Sequence, residues 1–339
     1  MSVTPWHTLS FSTIVLEWQT AASFPTHSSH SLPQYFLQRL ATMAQWVIDQ
    51  LNARLQSRRD ILHSLFSNEI TTQQAAEDLA TITESRIEEL DPDSTDPTEQ
   101  NCNSVIEDTW LVIYFHARDN PSHQDLLVEV LLHMSKLPTP RFVNGTKAEA
   151  NGQKLWSELP EIRWIGREHW EAPIRMRAAP PWETSDRAQS IANFVNINAF
   201  LARQQATGLS FLDHSLLALW TFRAALEYPS IERAKMSPLD FNVPGAAVWI
   251  EIAGEHLFGM EKEFPHGGNQ GRPGLGGPLW DGMYGFCGER WALWRRRFGE
   301  LADASELEHE LRDLSSRAEA KMKEIEAHAV SKQISWSSG

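Results

Sequence analysis

Two carboxylates stand one helical turn apart in a segment that otherwise has the apolar pattern of a buried helix. In the run from Trp249 to Glu255, residues Glu251 and Glu255 are four positions apart, so on a helix they point the same way. Hard cations such as Mg²⁺ take oxygen ligands from one or two carboxylates together with a phosphate. The spacing therefore predicts a magnesium site at Glu251 and Glu255, and Gly254 between them permits close approach of another backbone or a ligand.

Other polar residues lie in apolar helical segments, where an unpaired polar group costs about 1–3 kcal/mol. Asn198 and Arg203 share one segment, in which Asn196 stands one heptad before Arg203 and therefore on the same face. Arg223 and Glu227 are four apart in another segment and can pair. We consider two interpretations, a functional pocket and an inward ion-pair network that fixes helix registry. The network would consist of Arg203, Arg223, Glu227, Glu251 and Glu255.

The aromatic content is unusually apolar, with 14 Trp and 15 Phe against 4 Tyr. Ring faces stabilise cations and bury large areas, so a cavity walled by Trp and Phe suits a hydrophobic or transiently cationic substrate. Trp280, Trp291 and Trp294 lie in or beside the segment 261–288, which contains many glycines and is expected to act as a mobile lid. The spacing of Trp291 and Trp294 is also typical of a packed helix face.

Familiar catalytic signatures are missing from the chain. It has no Gly-x-Ser-x-Gly elbow, no His-Glu-x-x-His, no phosphate-binding loop and no dinucleotide fingerprint that follows a strand. The run Gly274-Leu275-Gly276-Gly277 follows prolines rather than a strand and is interpreted as a flexible loop. These absences argue against the classical hydrolase, kinase and dehydrogenase classes.

Charge and cysteine usage restrict the partners and the compartment. The net charge of −14, from 30 Lys plus Arg against 44 Asp plus Glu, leaves no basic face, so neither nucleic acid nor an anionic membrane is an expected partner. Two cysteines, Cys102 and Cys287, are too few for a disulfide framework. The first residues lack a signal-peptide pattern, and no run of about 18 apolar residues could span a bilayer. We expect a cytoplasmic protein, and a homodimer is left open.

Apolar residues recur at helical spacing with scarcely any alternation of the strand type. This pattern predicts an all-α fold, a single-domain bundle of about ten helices with long loops over residues 32–330, between weakly ordered tails at 1–31 and 331–339. Three helices, at residues 186–205, 213–228 and 244–260, form its expected centre. From residue 138 to 185 the chain shows prolines and four tryptophans without a long periodic run, which indicates a loop packed by its aromatic side chains.

Several short motifs occur in the order expected for one family. They are NAFLAR at 198–203, AALE at 224–227, AAVWI at 246–250 with GE at 254–255, and GF at 285–286 with ERW at 289–291 and Trp294. Over roughly Trp110 to Met322 the chain resembles an uncharacterised helical family of filamentous fungi, number 3632 in the domain-of-unknown-function series. Members of that family occur in secondary-metabolite gene clusters, so the resemblance implies a role in fungal natural-product biosynthesis. The family offers no assigned catalytic residues.

Size and helical character are also similar to single-domain class I terpene cyclases, an analogy at the level of the fold. The aspartate-rich and Asn-Ser-Glu metal motifs of that class are absent, so Glu251 and Glu255 would have to substitute for them. The leading hypothesis is a magnesium-dependent cyclisation of a prenyl diphosphate. In it the catalytic residues are Asn198, Glu227 and Trp249, and the substrate-binding residues are Arg203, Arg223, Trp280 and Trp291.

Two alternatives belong to other functional classes. One is a non-catalytic helical protein that binds a hydrophobic metabolite or a protein partner. The other is a cofactor-free cyclase or isomerase that acts on a polyketide and needs a cavity but no metal.

Overall fold

Helices make up most of the chain. The computed structural model describes residues 34–91, 93, 102–177, 184–229, 239–264 and 271–337. Within these residues the α-helices are α1 (Gln34–Phe66), α2 (Thr72–Ile87), α3 (Asn103–Asp119), α4 (Gln124–Met134), α5 (Ile162–Arg177), α6 (Thr184–Ala206), α7 (Ser215–Leu226), α8 (Leu239–Leu257), α9 (Gly288–Asp303) and α10 (His309–Ser337). Single 3₁₀ turns cover Pro121–His123 and Ser210–Leu212.

The strands of the described part form two hairpin-like pairs of two residues each. Strand β1 (Glu149–Ala150) pairs with β2 (Gln153–Lys154), and β3 (Lys262–Glu263) pairs with β4 (Gly285–Phe286), both antiparallel. The predicted all-α class is confirmed. No described helix combines the length and apolar character needed to cross a membrane. The predicted tail at 1–31 lies outside the described residues, whereas α10 continues to Ser337 and makes residues 331–337 helical.

The described residues fall into two compact units. Unit 1 takes the chain up to His116 together with Asp125–Ser190, and unit 2 takes Ala117–Gln124 together with the chain from Ile191 onward. Each unit has its own buried apolar residues. The expectation of a single domain stays a prediction.

In unit 1, helices α1 and α2 pack together, and α3 is buried on most sides. Thr71 caps α2, because its hydroxyl oxygen accepts a hydrogen bond from the Gln74 backbone N–H at 3.1 Å. The indole of Trp110 on α3 meets Trp156 edge-on at 6.4 Å and donates to the Pro160 carbonyl at 2.8 Å. The prediction that aromatic side chains pack the region 138–185 is therefore confirmed at Trp156.

The interpretation of residues 138–185 as irregular was wrong in two places. Helix α5 occupies Ile162–Arg177 with Pro173 inside it, and this proline interrupts the pattern that would have predicted the helix. Asn151 and Gly152 form the turn between β1 and β2 with φ of 52° and 73°. An Asn-Gly pair with positive φ at both residues is the usual two-residue hairpin turn.

In unit 2, the three predicted central helices are confirmed as α6, α7 and α8, and α10 packs on both α8 and α9. Gly254 permits the contact of α8 with α10, because a Cβ there would lie 2.7 Å from Ile325 Cδ1. The predicted close approach at this glycine was to a backbone or a ligand, whereas the partner is the apolar side chain of Ile325. Stacked rings fill the interior, with Phe222 and Trp294 at 4.6 Å.

Candidate functional site

Glu227, a predicted catalytic residue, is fully buried and forms a two-pronged ion pair with Arg290 of α9. Arg290 donates from Nε to Glu227 Oε1 at 2.7 Å and from Nη2 to Oε2 at 3.0 Å. The indole N–H of Trp294 donates to Oε1 at 2.8 Å, and the backbone N–H of Gly277 donates to Oε2 at 2.7 Å. Each carboxylate oxygen thus accepts two hydrogen bonds.

The predicted pairing of Glu227 with Arg223 was wrong. Helix α7 ends at Leu226, so Glu227 is its C-cap, with φ −102° and ψ 24°. The rule that residues four apart share a face holds only inside a helix, and the side chain of Glu227 has left that face. Arg223 instead donates from Nη1 to the Leu275 carbonyl at 3.0 Å.

The glycine-rich segment 261–288 is fastened to the ion pair. Arg290 Nη1 donates to the carbonyl oxygens of Gly274 and Gly285, at 3.1 and 3.0 Å. A Cβ on Gly277 would lie only 2.6 Å from the backbone oxygen of Glu227, so the glycine is required for this approach. Residues 271–288 of this segment therefore form one side of the cluster, and movement of these residues as a lid would break the hydrogen bonds.

Asn198 and Trp249, the other predicted catalytic residues, are brought into direct contact. Asn198 Oδ1 accepts the Trp249 indole N–H at 2.7 Å and lies 3.1 Å from the Thr221 hydroxyl. Asn198 Nδ2 donates to the Phe194 carbonyl at 2.8 Å. All of these side chains are fully buried. The side-chain amide of Asn198 thus links α6, α7 and α8, and both its oxygen and its nitrogen are hydrogen-bonded.

Arg203 and Asn196 share a face, as predicted, and contact the start of α4 and the end of α3. Arg203 Nη1 donates to Gln124 Oε1 at 3.2 Å, and Asn196 Nδ2 donates to the Arg118 carbonyl at 2.7 Å. Arg203 therefore does not meet the buried carboxylate of Glu227, and the predicted network of five charged residues was wrong.

Glu251 and Glu255 lie exposed on α8, so the prediction that they face the interior was wrong. The pKa of Lys321 on α10 is raised mainly by its hydrogen bond to Glu324, with smaller contributions from the charges of Glu251 and Glu255. The two carboxylates thus face α10 at the surface. In the part of the chain that the structure describes, no group of three or more His, Cys, Asp or Glu could hold a metal ion. Magnesium binding stays a prediction.

The two tryptophans predicted to bind substrate have different surroundings. Trp280 is half-buried, with the Arg290 guanidinium 5.5 Å from its ring and its indole N–H donating to Met283 at 2.9 Å. Trp291 is buried and donates to Glu326 Oε1 at 2.9 Å. Trp291 therefore packs α9 on α10, in agreement with the packed helix face that its spacing also indicated.

A second buried charge cluster lies in unit 1, and the sequence reasoning missed it. Asp108 on α3 is fully buried and forms ion pairs with Arg54 of α1 at 2.7 Å and Arg86 of α2 at 3.2 Å. Arg58 of α1, one turn after Arg54, is 2% exposed and donates from Nε to Thr109 Oγ1 at 3.0 Å. The available signals were Asp108 within an apolar helix and two arginines four apart.

Glu107, next to Asp108, adds a titratable group to this cluster. Its pKa is raised to about 7, first by burial, then by the charges of Glu161 and Asp108, and against the opposing charge of Arg54. Burial likewise raises the pKa of Asp108, while Arg54 and the other two arginines lower it. The cluster therefore combines three guanidinium groups with one buried carboxylate and one carboxyl that titrates near neutrality.

The family described as "Protein of unknown function (DUF3632)" matches residues 110–298. The chain belongs to this family. Neither a curated protein nor a solved structure matches the chain. The DUF3632 region contains Asn198, Glu227 and Arg290, so both satisfied polar clusters of unit 2 belong to it. Asp108 and the three arginines of unit 1 lie before its first residue.

Proposed function

We propose that this chain is a non-catalytic helical protein that binds a small metabolite, and that it serves fungal natural-product biosynthesis as its family resemblance implies. The observation that carries the binding function is Arg58 Nη2, a buried guanidinium nitrogen without a hydrogen-bond partner in unit 1. Buried polar groups are almost always paired, so this donor, which lies in a cluster of charged side chains, supports binding of a ligand that brings an acceptor atom.

The buried carboxylate of unit 2 supports a structural rather than a catalytic role. A catalytic or metal-binding carboxylate needs an oxygen free for substrate or ion, whereas both oxygens of Glu227 already accept two hydrogen bonds. Asn198 is equally satisfied by neighbouring helices. These groups resemble buried polar contacts that fix the position of one helix against the next.

The remaining parts of the cyclase hypothesis are spread over unit 2 instead of converging. Glu251 and Glu255 are exposed, and Arg203 and Arg223 donate to Gln124 and to a loop carbonyl. Diphosphate cleavage needs metal ligands and cationic donors around one leaving group. This geometry does not favour magnesium-dependent cyclisation of a prenyl diphosphate.

Two measurements on the purified full-length chain test the proposal. Native mass spectrometry followed by denaturing extraction should reveal a small molecule that copurifies with the protein. Incubation with Mg²⁺ and farnesyl or geranylgeranyl diphosphate should yield no hydrocarbon. Turnover that a chelator abolishes and that Glu251→Gln reduces would instead establish the cyclase and overturn the non-catalytic role.

A further inference from the structure

Three arginines of unit 1 lie around one buried aspartate. Arg54, Arg58 and Arg86 all interact by charge with one aspartate, Asp108, whose side chain is fully buried. A second carboxyl, on Glu107, titrates near neutrality and so supplies only part of a negative charge there. Arg58 thus contributes a buried guanidinium group whose hydrogen bond goes to a neutral hydroxyl group and not to a carboxylate.

The hydrogen bonds of the cluster are also incomplete. Arg58 Nε donates to Thr109, whose hydroxyl lies 2.9 Å from that of Thr83, and Thr83 donates to the Leu79 carbonyl. This chain of donors occupies one edge of the Arg58 guanidinium and leaves Nη2 buried with no acceptor. Asp108 Oδ1 has its ion pair but no well-directed hydrogen bond. Arg58 Nη2 is therefore a buried donor that an acceptor atom of a ligand would satisfy.

We propose that Arg54, Arg58 and Arg86 form a binding site for the oxyanion group of a small molecule, a carboxylate, phosphate or sulfate. The proposal rests on the metabolite-binding function and names its site and ligand class. Planar guanidinium groups present paired N–H donors that match the oxygens of such anions, and these charge-assisted bonds are the strong ones. Burial strengthens them further, because the local dielectric is low.

Two of the three arginines reach the surface of unit 1. The side chains of Arg54 and Arg86 are 33% and 44% exposed, whereas Arg58 is almost completely buried. An anion would therefore meet the two outer arginines first and Arg58 last. The three arginines come from two helices, α1 and α2, so a bound anion would link these helices within unit 1.

Isothermal titration calorimetry of the full chain tests the site with inorganic phosphate, sulfate and benzoate, and with sodium chloride as the ionic-strength control. Arg86→Gln should weaken the binding of the preferred probe by about tenfold or more, the usual worth of a charged hydrogen bond. Arg58→Gln should do the same. Arg59→Gln is the matched control, because Arg59 is the next residue on α1 and bonds to Asn52 instead.

The outcomes separate the ligand types and the two proposals. Tighter phosphate or sulfate binding indicates an ester of one of these acids, and tighter benzoate binding indicates a carboxylic acid. If Arg58→Gln does not fold, Arg86→Gln decides alone, since its side chain is partly exposed. Absence of saturable binding for all three probes, or equal weakening by Arg86→Gln and Arg59→Gln, overturns the site. A copurifying metabolite would then still support the binding function.

Acidity gives an independent readout of the same site. The charged groups that face one another here are the three arginines, Asp108, Glu107 and, through Glu107, Glu161. Protonation of Glu107 below neutrality removes a competing negative charge, so binding of sulfate or benzoate, whose own charge is constant over this range, should strengthen severalfold from about pH 8 to about pH 6. Glu107→Gln should abolish this dependence and bind tightly at both values. A dependence that survives in Glu107→Gln would contradict the assignment.

Discussion

Removal of the buried charge at Glu227 should destabilise unit 2 strongly. In Glu227→Gln the amide keeps the shape of the side chain but replaces one acceptor oxygen by a donor. Two of the four groups that donate to the carboxylate then lose their acceptor, and Arg290 is left as a buried, uncompensated cation. Each unsatisfied donor costs about 1–3 kcal/mol, and removal of one partner of a buried pair costs about 3–5 kcal/mol. We therefore expect a loss of about 3–5 kcal/mol.

Urea unfolding followed by tryptophan fluorescence and far-UV circular dichroism measures this loss. Fluorescence is suitable because Trp294 donates to Glu227 and Trp280 stacks on Arg290. For a unit of this size the expected fall in melting temperature is about 6–20 °C. Glu255→Gln is the control, since Glu255 is an exposed glutamate of the same unit and should change stability by less than about 0.5 kcal/mol.

A double variant separates the charge imbalance from a general packing effect. Glu227→Leu with Arg290→Met replaces the pair by apolar side chains and should be more stable than either single substitution, because no buried charge is left alone. A loss below about 1 kcal/mol in Glu227→Gln would refute the reasoning. The hydrogen bonds of the Glu227 carboxylate would then not be needed for stability, and its predicted catalytic role would regain support.

Three further predictions concern glycines, acidity and thiols. Gly277→Ala should cost about 1–3 kcal/mol in urea unfolding, because its Cβ would meet a backbone oxygen at 2.6 Å, whereas Gly288→Ala, with open space around it, should be neutral. Burial raises the pKa of Glu107 to about 7 from 4.5, so between these pH values the folded protein holds a proton that the unfolded chain releases. The melting temperature should therefore fall as the pH rises from 4.5 to about 7, and Glu107→Gln should remove that fall. Cys102 is buried with a pKa of about 11, so a thiol reagent should label the half-buried Cys287 first and Cys102 only on unfolding.

The helical class and the three central helices could be predicted from the sequence because their signal is local. Apolar residues at helical spacing recur along α6, α7 and α8, and such periodicity needs no knowledge of the partner element. Prediction failed where a local cue was interrupted or absent. Pro173 lies inside α5, and the two-residue strands of the hairpin at Asn151-Gly152 are too short to show alternation.

The polar positions were recognised more reliably than their partners. Asn198 and Glu227 stood out as polar residues in apolar segments, and both are fully buried. Their partners could not be predicted, since Glu227 meets a guanidinium 63 positions later in the chain. Spacing rules relate residues on one helix, whereas this pair depends on how a loop and α9 return to the end of α7. Glu251 shows the converse error, because a carboxylate within an apolar run proved to be exposed.

Burial of a charged group alone does not distinguish a structural ion pair from a ligand-binding site. The number of hydrogen-bond donors and acceptors left without a partner makes this distinction. Around Glu227 one guanidinium, one indole and one amide fill both carboxylate oxygens, so no group remains for a ligand. Around Asp108 three guanidinium groups share one carboxylate, and Arg58 keeps a buried nitrogen without an acceptor. A buried donor without an acceptor is costly, and an acceptor atom brought by a ligand would remove that cost. The place to seek a ligand is therefore the unbalanced cluster of unit 1, although the residue patterns first directed attention to unit 2.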